Sequence, residues 1–285
     1  MALTVIAQHD TPVTSPTFSS TGELFSISAT GEILRYSEGA PEAEWNYEAW
    51  GSSSGQPYGL AFDAHGVAFV CDAAHQAIFR ITRTQGDDGM SRQEIEPYVR
   101  EYESAALLGP NSLCKSATTG MLYFSDSGPF GETSISNPQG SVFAINSATQ
   151  LLIPLCLNSL AHPCGVALSA DEAVLYVAET CNNRILRFAQ HPTGVFHCSV
   201  FHQLSGRFGP TALAVGPGGD LFVAHFDFAD CTDNGRILVI DSEGEVSAIM
   251  QVPGPEITGL CVSPDEKYLI VAEASTSRLY RHEIR

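Results

Sequence analysis

Four carboxylates and a histidine stand at matching places along the chain: Asp72, Asp126, Glu179, His225 and Glu273, with Ser28 at the same place in a weaker first copy. Each closes a short apolar run, as in AFVCD, LYFSD and YLIVAE. If the copies are arranged around an axis, these residues form a ring. Oxygen ligands with one imidazole could then hold a divalent cation or a cationic ligand. In such a site Asp126 and Glu179 would serve as metal ligands or general base. The competing reading is structural: each acid accepts hydrogen bonds from the turn that follows, as in ETCNNR and EASTSR, and fixes the chain's crossover.

The elements that would position such a ring are internal repeats. PYGLAFDAHGVAFVCDAAHQAIFRI begins at Pro57 and HPCGVALSADEAVLYVAETCNNRILRF at His162. Siblings begin at Val13, Gly109, Gly209 and Ile257. Aligned on the small residue before the first apolar pair, the anchors are Ser15, Gly59, Ser112, Gly165, Ala212 and Gly259, with steps of 44, 53, 53, 47 and 47. Each unit reads as a short apolar strand, a turn rich in Asp and Gly, a strand of the type LYVA, a polar turn and an alternating strand such as RILRF. A fourth, more variable strand follows. Four strands per unit at this period are the signature of a propeller blade.

The expected fold is therefore all-β: one six-bladed β-propeller over 1–285, with blades at about 10–50, 51–103, 104–158, 159–204, 205–251 and 252–285 plus 2–9. The last unit supplies only three strands, so LTVIAQ (3–8) is expected to complete it and close the ring. Helical periodicity is missing apart from an expected single turn at EYESAALL (101–108).

With 14 basic against 32 acidic residues the formal net charge is −18, which repels phosphate backbones and anionic lipid. Nucleic acid and membrane insertion are excluded as partners on that ground. The N-terminal MALTVIAQHDTPVTSP lacks a basic segment and a long apolar run, and no stretch approaches the length that spans a bilayer. An intracellular, cytoplasmic location is expected. The eight cysteines are scattered singly and are expected to be free thiols.

Two further groupings could carry chemistry. The loop HFDFADCTDNG (225–235) concentrates His225, Asp227, Asp230, Cys231 and Asp233, with a spacing that fits no EF-hand or zinc pattern; a solvated acidic loop is the competing reading. His162 lies two residues before Cys164, which on a strand puts both on one face. A thiol nucleophile needs such a neighbour; the competing reading is a small residue lining a channel. The insertion SGPFGETSISNPQG (127–140) would cover a channel mouth or dock a partner. Nucleophile-elbow, Walker and dinucleotide motifs do not occur.

The unit GVALSADEAVLYVAETCNNRILRF resembles the blade signature of strictosidine-synthase-like proteins, and GPNSLCKSATTGMLYFSDSGPFG that of the regucalcin/gluconolactonase family. Both belong to the six-bladed calcium-dependent phosphotriesterase-like superfamily. The resemblance implies a divalent metal in the central channel. Its ligands would be a Glu opening blade one, an Asn in a PNG-like motif and an Asp in a PDG-like motif, with a further Asn in a PND-like motif alongside. The matching ring here is Thr14, Tyr58, Asn111, Cys164, Thr211 and Thr258. Thr14 replaces the Glu, Cys164 the PNG asparagine and Thr211 the PDG aspartate; only Asn111 keeps the pattern. Strictosidine synthase uses a channel glutamate and no metal; the position here is Thr258, with Glu256 two residues earlier.

No carboxylate remains in that ring, so no metal and no other cofactor is expected there. The sequence points first to a non-catalytic propeller, a pseudoenzyme acting as an interaction or scaffold subunit with other proteins as partners. The alternative is a hydrolase of lactones or esters that works on a small-molecule substrate with a divalent metal such as Ca²⁺ in a rearranged channel.

Overall fold

The computed structural model describes residues 3–40, 43–85, 91–206, 208–227 and 232–284. Six four-stranded antiparallel sheets radiate from a central channel. Their inner strands are Val13–Phe18, Pro57–Phe62, Pro110–Lys115, Pro163–Leu168, Phe208–Val215 and Ile257–Val262. In blades one to five the strands follow one another outward in chain order. Blade six is completed by Thr4–Gln8, which pairs with Arg278–Glu283 and closes the ring as anticipated. No α-helix occurs among the described residues.

The second strands explain the apolar runs of the sequence. Leu24–Ser28, Ala68–Asp72 and Leu122–Asp126 are buried along their whole length, because both faces meet a neighbouring blade. One apolar cluster fills each interface between adjacent blades. Phe25, Ile27, Leu60 and Val70 join blades one and two, for example. Ile6, Leu24, Ile270 and Leu279 join the last blade to the first. The outermost strands, such as Ser91–Val99, are mostly exposed.

The turn expected at 101–108 is not helical. Glu101–Tyr102 pairs with Ala105–Ala106 as a small hairpin. Its two loop residues, Glu103 and Ser104, have φ of 49° and 66°. Two successive left-handed residues are the backbone of a tight hairpin turn, which no helix tolerates.

Candidate functional site in the central channel

A shared irregularity builds the channel ring. In blades two to six the pairing of the inner strand with the second strand slips just where the ring residue stands, for example between Pro110 and Leu113 and between Pro163 and Val166, and in blade one it slips immediately after Thr14. Such a bulge re-aims a side chain. The small residue that follows has a steric cause. A Cβ on Gly59 would come within 2.7 Å of the Asn111 carbonyl, and one on Gly165 within 2.8 Å of the Ala212 Cα. A Cβ on Gly259 would collide with Pro16 and Ser15. The inner strands therefore approach one another closely only because these positions are small.

All six ring residues, Thr14, Tyr58, Asn111, Cys164, Thr211 and Thr258, line one cavity of about 740 Å³ along the axis. Three of them spend their hydroxyl protons on the neighbouring blade. Thr14 Oγ1 donates to the Thr258 carbonyl at 2.9 Å, and Thr258 Oγ1 donates back to Val13 at 2.7 Å. Thr211 Oγ1 donates to Ile257 at 2.9 Å. Asn111 Nδ2 makes one long contact, 3.4 Å, to Ser127 Oγ. Burial pushes the Cys164 thiol up to about 12, so it stays protonated at neutral pH.

His162 and Cys164 both line the cavity, but not through strand alternation. His162 precedes the inner strand and has a left-handed φ of 59°. Burial lowers the imidazole to about 4, so it is neutral at pH 7 and cannot stabilise a thiolate as an imidazolium would. The nucleophile reading of Cys164 therefore lacks its activating charge. The insertion contributes what the sequence left open: Gly128, Pro129 and Phe130 wall the cavity, and Phe130 meets His162 edge-on with ring centroids 5.1 Å apart. Phe130 and the inner-tier residues Leu60, Leu113, Val166, Leu213 and Leu260 were not singled out from sequence. The apolar pair after each anchor was their signal, and it was indistinguishable from ordinary core.

The second ring is corrected. Asp72, Asp126, Glu179, His225 and Glu273 are all buried, and none of them lines the cavity; Ser28 does. Each pairs opposite the residue just before the ring residue, such as Asp126 with Pro110 and Glu179 with Pro163, and so lies one strand behind the channel wall. There the carboxylates clasp the loop that enters the blade. Asp126 accepts from the Leu108 and Gly109 N–H groups at 3.0 and 2.8 Å. Glu179 accepts from Ala161 N, Asn182 Nδ2 and Arg184 Nε. Asp72 holds Ser53 Oγ, Gln56 N and His75 N. Glu273 holds Glu256 N, Ser275 N and Thr276 N. With their lone pairs spent on these backbone and side-chain donors, Asp126 and Glu179 are not placed to act as general base or channel ligand.

Of the loop at 225–235, His225 is buried in the blade and Asp233 accepts the Gly254 N–H through its carbonyl. Asp230, Cys231 and the side chain of Asp227 lie outside the described residues. Among the described residues no three His, Cys, Asp or Glu converge where they could hold a metal ion. A hard dication bound through the ring would need carboxylate charge that Thr14, Asn111, Cys164 and Thr211 do not supply. The residues present therefore do not fit the calcium that the superfamily implies.

These features define a six-bladed propeller with an uncharged ring around an axial cavity. The chain belongs to the family described as SMP-30/Gluconolactonase/LRE-like region, whose model matches residues 31–275. It is 31% identical over 140 residues to a lactonase, drp35, of Staphylococcus aureus, covering 47% of this chain and 40% of that protein. The chain thus spans well under half the length of that relative. The Staphylococcus epidermidis lactonase is 24% identical over 243 residues, covering 83% of this chain and 68% of that one. Among solved structures, a gluconolactonase of Xanthomonas campestris superposes with a TM-score of 0.76 at 21% identity over 99% of this chain and 89% of that one. A calcium-binding regucalcin of Agrobacterium tumefaciens does so with 0.76 at 19% identity over 98% and 92%. At such identities the structural likeness speaks for the fold alone.

Proposed function

We propose that this protein takes a lactone or ester of small-molecule size into its central channel and acts as a hydrolase of the gluconolactonase type. The observation that carries the proposal is the cavity itself: about 740 Å³ walled by all six inner strands, a volume in the range of drug-sized ligand sites. The substrate class is supported by relatives named lactonase and gluconolactonase. The Asn111 amide and the Tyr58 phenol of the ring, with the neutral His162 imidazole beside it, are groups placed to orient a carbonyl by hydrogen bonds.

The test is a panel of lactones and aryl esters followed by pH-stat, first with chelator and then with Ca²⁺, Mn²⁺, Mg²⁺ and Zn²⁺ in turn. Turnover that falls at least tenfold in Asn111→Ala supports the proposal. A panel with neither turnover nor binding overturns it.

A second reading is the interaction subunit. It is favoured by the loss of the ring carboxylates, and by Phe130 and Ile135, which stand 64% and 67% exposed on the same insertion. Co-purification of a partner that is lost in a Phe130→Ser/Ile135→Ser double variant would support it.

A further inference from the structure

The channel mouth at blade four differs from its five equivalents. Two residues before the ring, the other blades carry Pro12, Gln56, Gly109, Gly209 and Glu256, whereas blade four carries His162. That histidine is 4% exposed, and its Nδ1 is buried without a partner among the described residues. A buried polar atom without a partner is costly to the fold. The left-handed backbone adds strain, which the glycine at the blade-three equivalent avoids. Two costs at one cavity-lining residue are the mark of a group held for a ligand rather than for the fold. Phe130 packs edge-on against the ring and walls the same corner.

The rest of the wall says what kind of ligand fits. Beyond the ring the cavity runs past Leu60, Leu113, Val166, Leu213 and Leu260. Of the lining residues only Lys115 and Glu172 carry formal charge, and both are engaged at the blade-three turn, Lys115 within its own blade and Glu172 from the neighbouring one. Lys115 Nζ donates to the Gly120 carbonyl at 2.8 Å, and Glu172 accepts from Ser116 Oγ and Ala117 N. The ring threonines have already donated their hydroxyl protons to carbonyls. A polyhydroxylated sugar lactone would bury hydroxyls that find few partners, and each such group is expensive.

We propose that His162 anchors, without a metal, the carbonyl end of a lactone or ester that bears a hydrocarbon chain, with the chain lying along the leucine-lined wall. This rests on the lactone reading above and narrows it to apolar-chain substrates. The neutral imidazole offers one donor and one acceptor, which suits an uncharged carbonyl and a neighbouring hydroxyl or water.

The test is isothermal titration calorimetry in chelator with γ-decalactone and glucono-δ-lactone, on the full chain and on His162→Ala and His162→Asn. Asparagine tolerates the left-handed backbone and keeps a donor and an acceptor. Thermal melts of both variants check the fold. The expected result is γ-decalactone at least tenfold tighter than glucono-δ-lactone, a loss of about tenfold in His162→Ala, and partial recovery in His162→Asn. Tighter binding of glucono-δ-lactone, or unchanged γ-decalactone affinity in a folded His162→Ala, overturns this inference and leaves the lactone site standing. If neither lactone binds, this inference falls, and the wider panel with added metals decides the lactone reading.

Discussion

Two rings of side chains encircle the channel axis, one strand apart, and they divide the polar work. The inner one, Thr14, Tyr58, Asn111, Cys164, Thr211 and Thr258, faces the cavity and carries no charge at neutral pH. The outer one holds Asp72, Asp126, Glu179 and Glu273, each fully wrapped by N–H and O–H donors. In a family whose relatives are lactonases, buried acids beside a channel look like catalytic equipment. Their geometry makes them fasteners. A carboxylate that closes a loop back onto its own blade stabilises by accepting several charge-assisted hydrogen bonds at once, and the same bonds aim it away from the cavity.

The largest test of that division is Glu273→Ala. It strips the acceptor from Glu256 N, Ser275 N and Oγ, and Thr276 N and Oγ, all packed around a fully buried side chain. Leaving such donors unsatisfied is expected to cost about 3–5 kcal/mol, read by urea denaturation. A loss under about 1 kcal/mol would mean that the outer ring is not a fastener.

Acid should strain the protein next, through its histidines. His9 and His162 are lowered to about 4 and His225 to about 3, each chiefly by burial, against an ordinary value of 6.5. The unfolded chain therefore binds protons that the native state refuses. Stability is full above about pH 6.5 and declines as pH falls toward 4, by up to about 3 kcal/mol per histidine. The Asp126 carboxyl, raised by burial, opposes this near the bottom of that window. Denaturation midpoints between pH 7 and 4.5 read the slope. His225→Gln should flatten it, because below about pH 6.5 the unfolded chain protonates His225 while the native blade keeps it neutral. An unchanged slope would place the acid sensitivity elsewhere.

The fold was legible because its cause is periodic. A small residue recurs where inner strands nearly touch, as at Gly59 and Gly165, and an apolar run recurs where a second strand is covered on both faces. The inner ring was legible for the same reason, since position in the repeat fixes position around the axis. What sequence could not decide was direction. Asp126 and Asn111 both lie at the axial end of blade three, yet one points into the blade and the other lines the cavity. The bulge that separates them leaves no residue signature. His162 and Cys164 do both line the cavity, but strand alternation is not the reason, because His162 has a φ of 59° and stands outside the strand. Phe130 reaches the cavity through an insertion with no counterpart in the other blades, so no repeat could predict it.

Recharging the inner ring sharpens the contrast from the other side. The Thr14→Glu/Cys164→Asn/Thr211→Asp variant restores the family's donor types at positions that already face the cavity. Its melt is expected to gain a Ca²⁺-dependent rise worth about 2.7 kcal/mol at a hundred times the dissociation constant, with no such rise in the parent. A variant that folds but ignores Ca²⁺ would show that the ring is not the metal position of the family.

The smallest expected effect is at the seam between the last blade and the first. Thr14 and Thr258 exchange hydroxyl bonds across it, to the Thr258 and Val13 carbonyls at 2.9 and 2.7 Å. Thr258→Val keeps the shape and removes one donor, at a cost of about 1 kcal/mol or roughly 2–4 °C in Tm. Thr14→Val should cost about as much. If these hydroxyls act only as inter-blade stitches, the double variant will lose roughly the sum of the two and bind lactone as the parent does. A double variant that keeps its stability but loses ligand affinity would instead mean that the ring threonines face the ligand as well. In that case the inner ring would be a recognition surface in its own right, and the seam would be held by its apolar cluster and the Thr4–Gln8 strand alone.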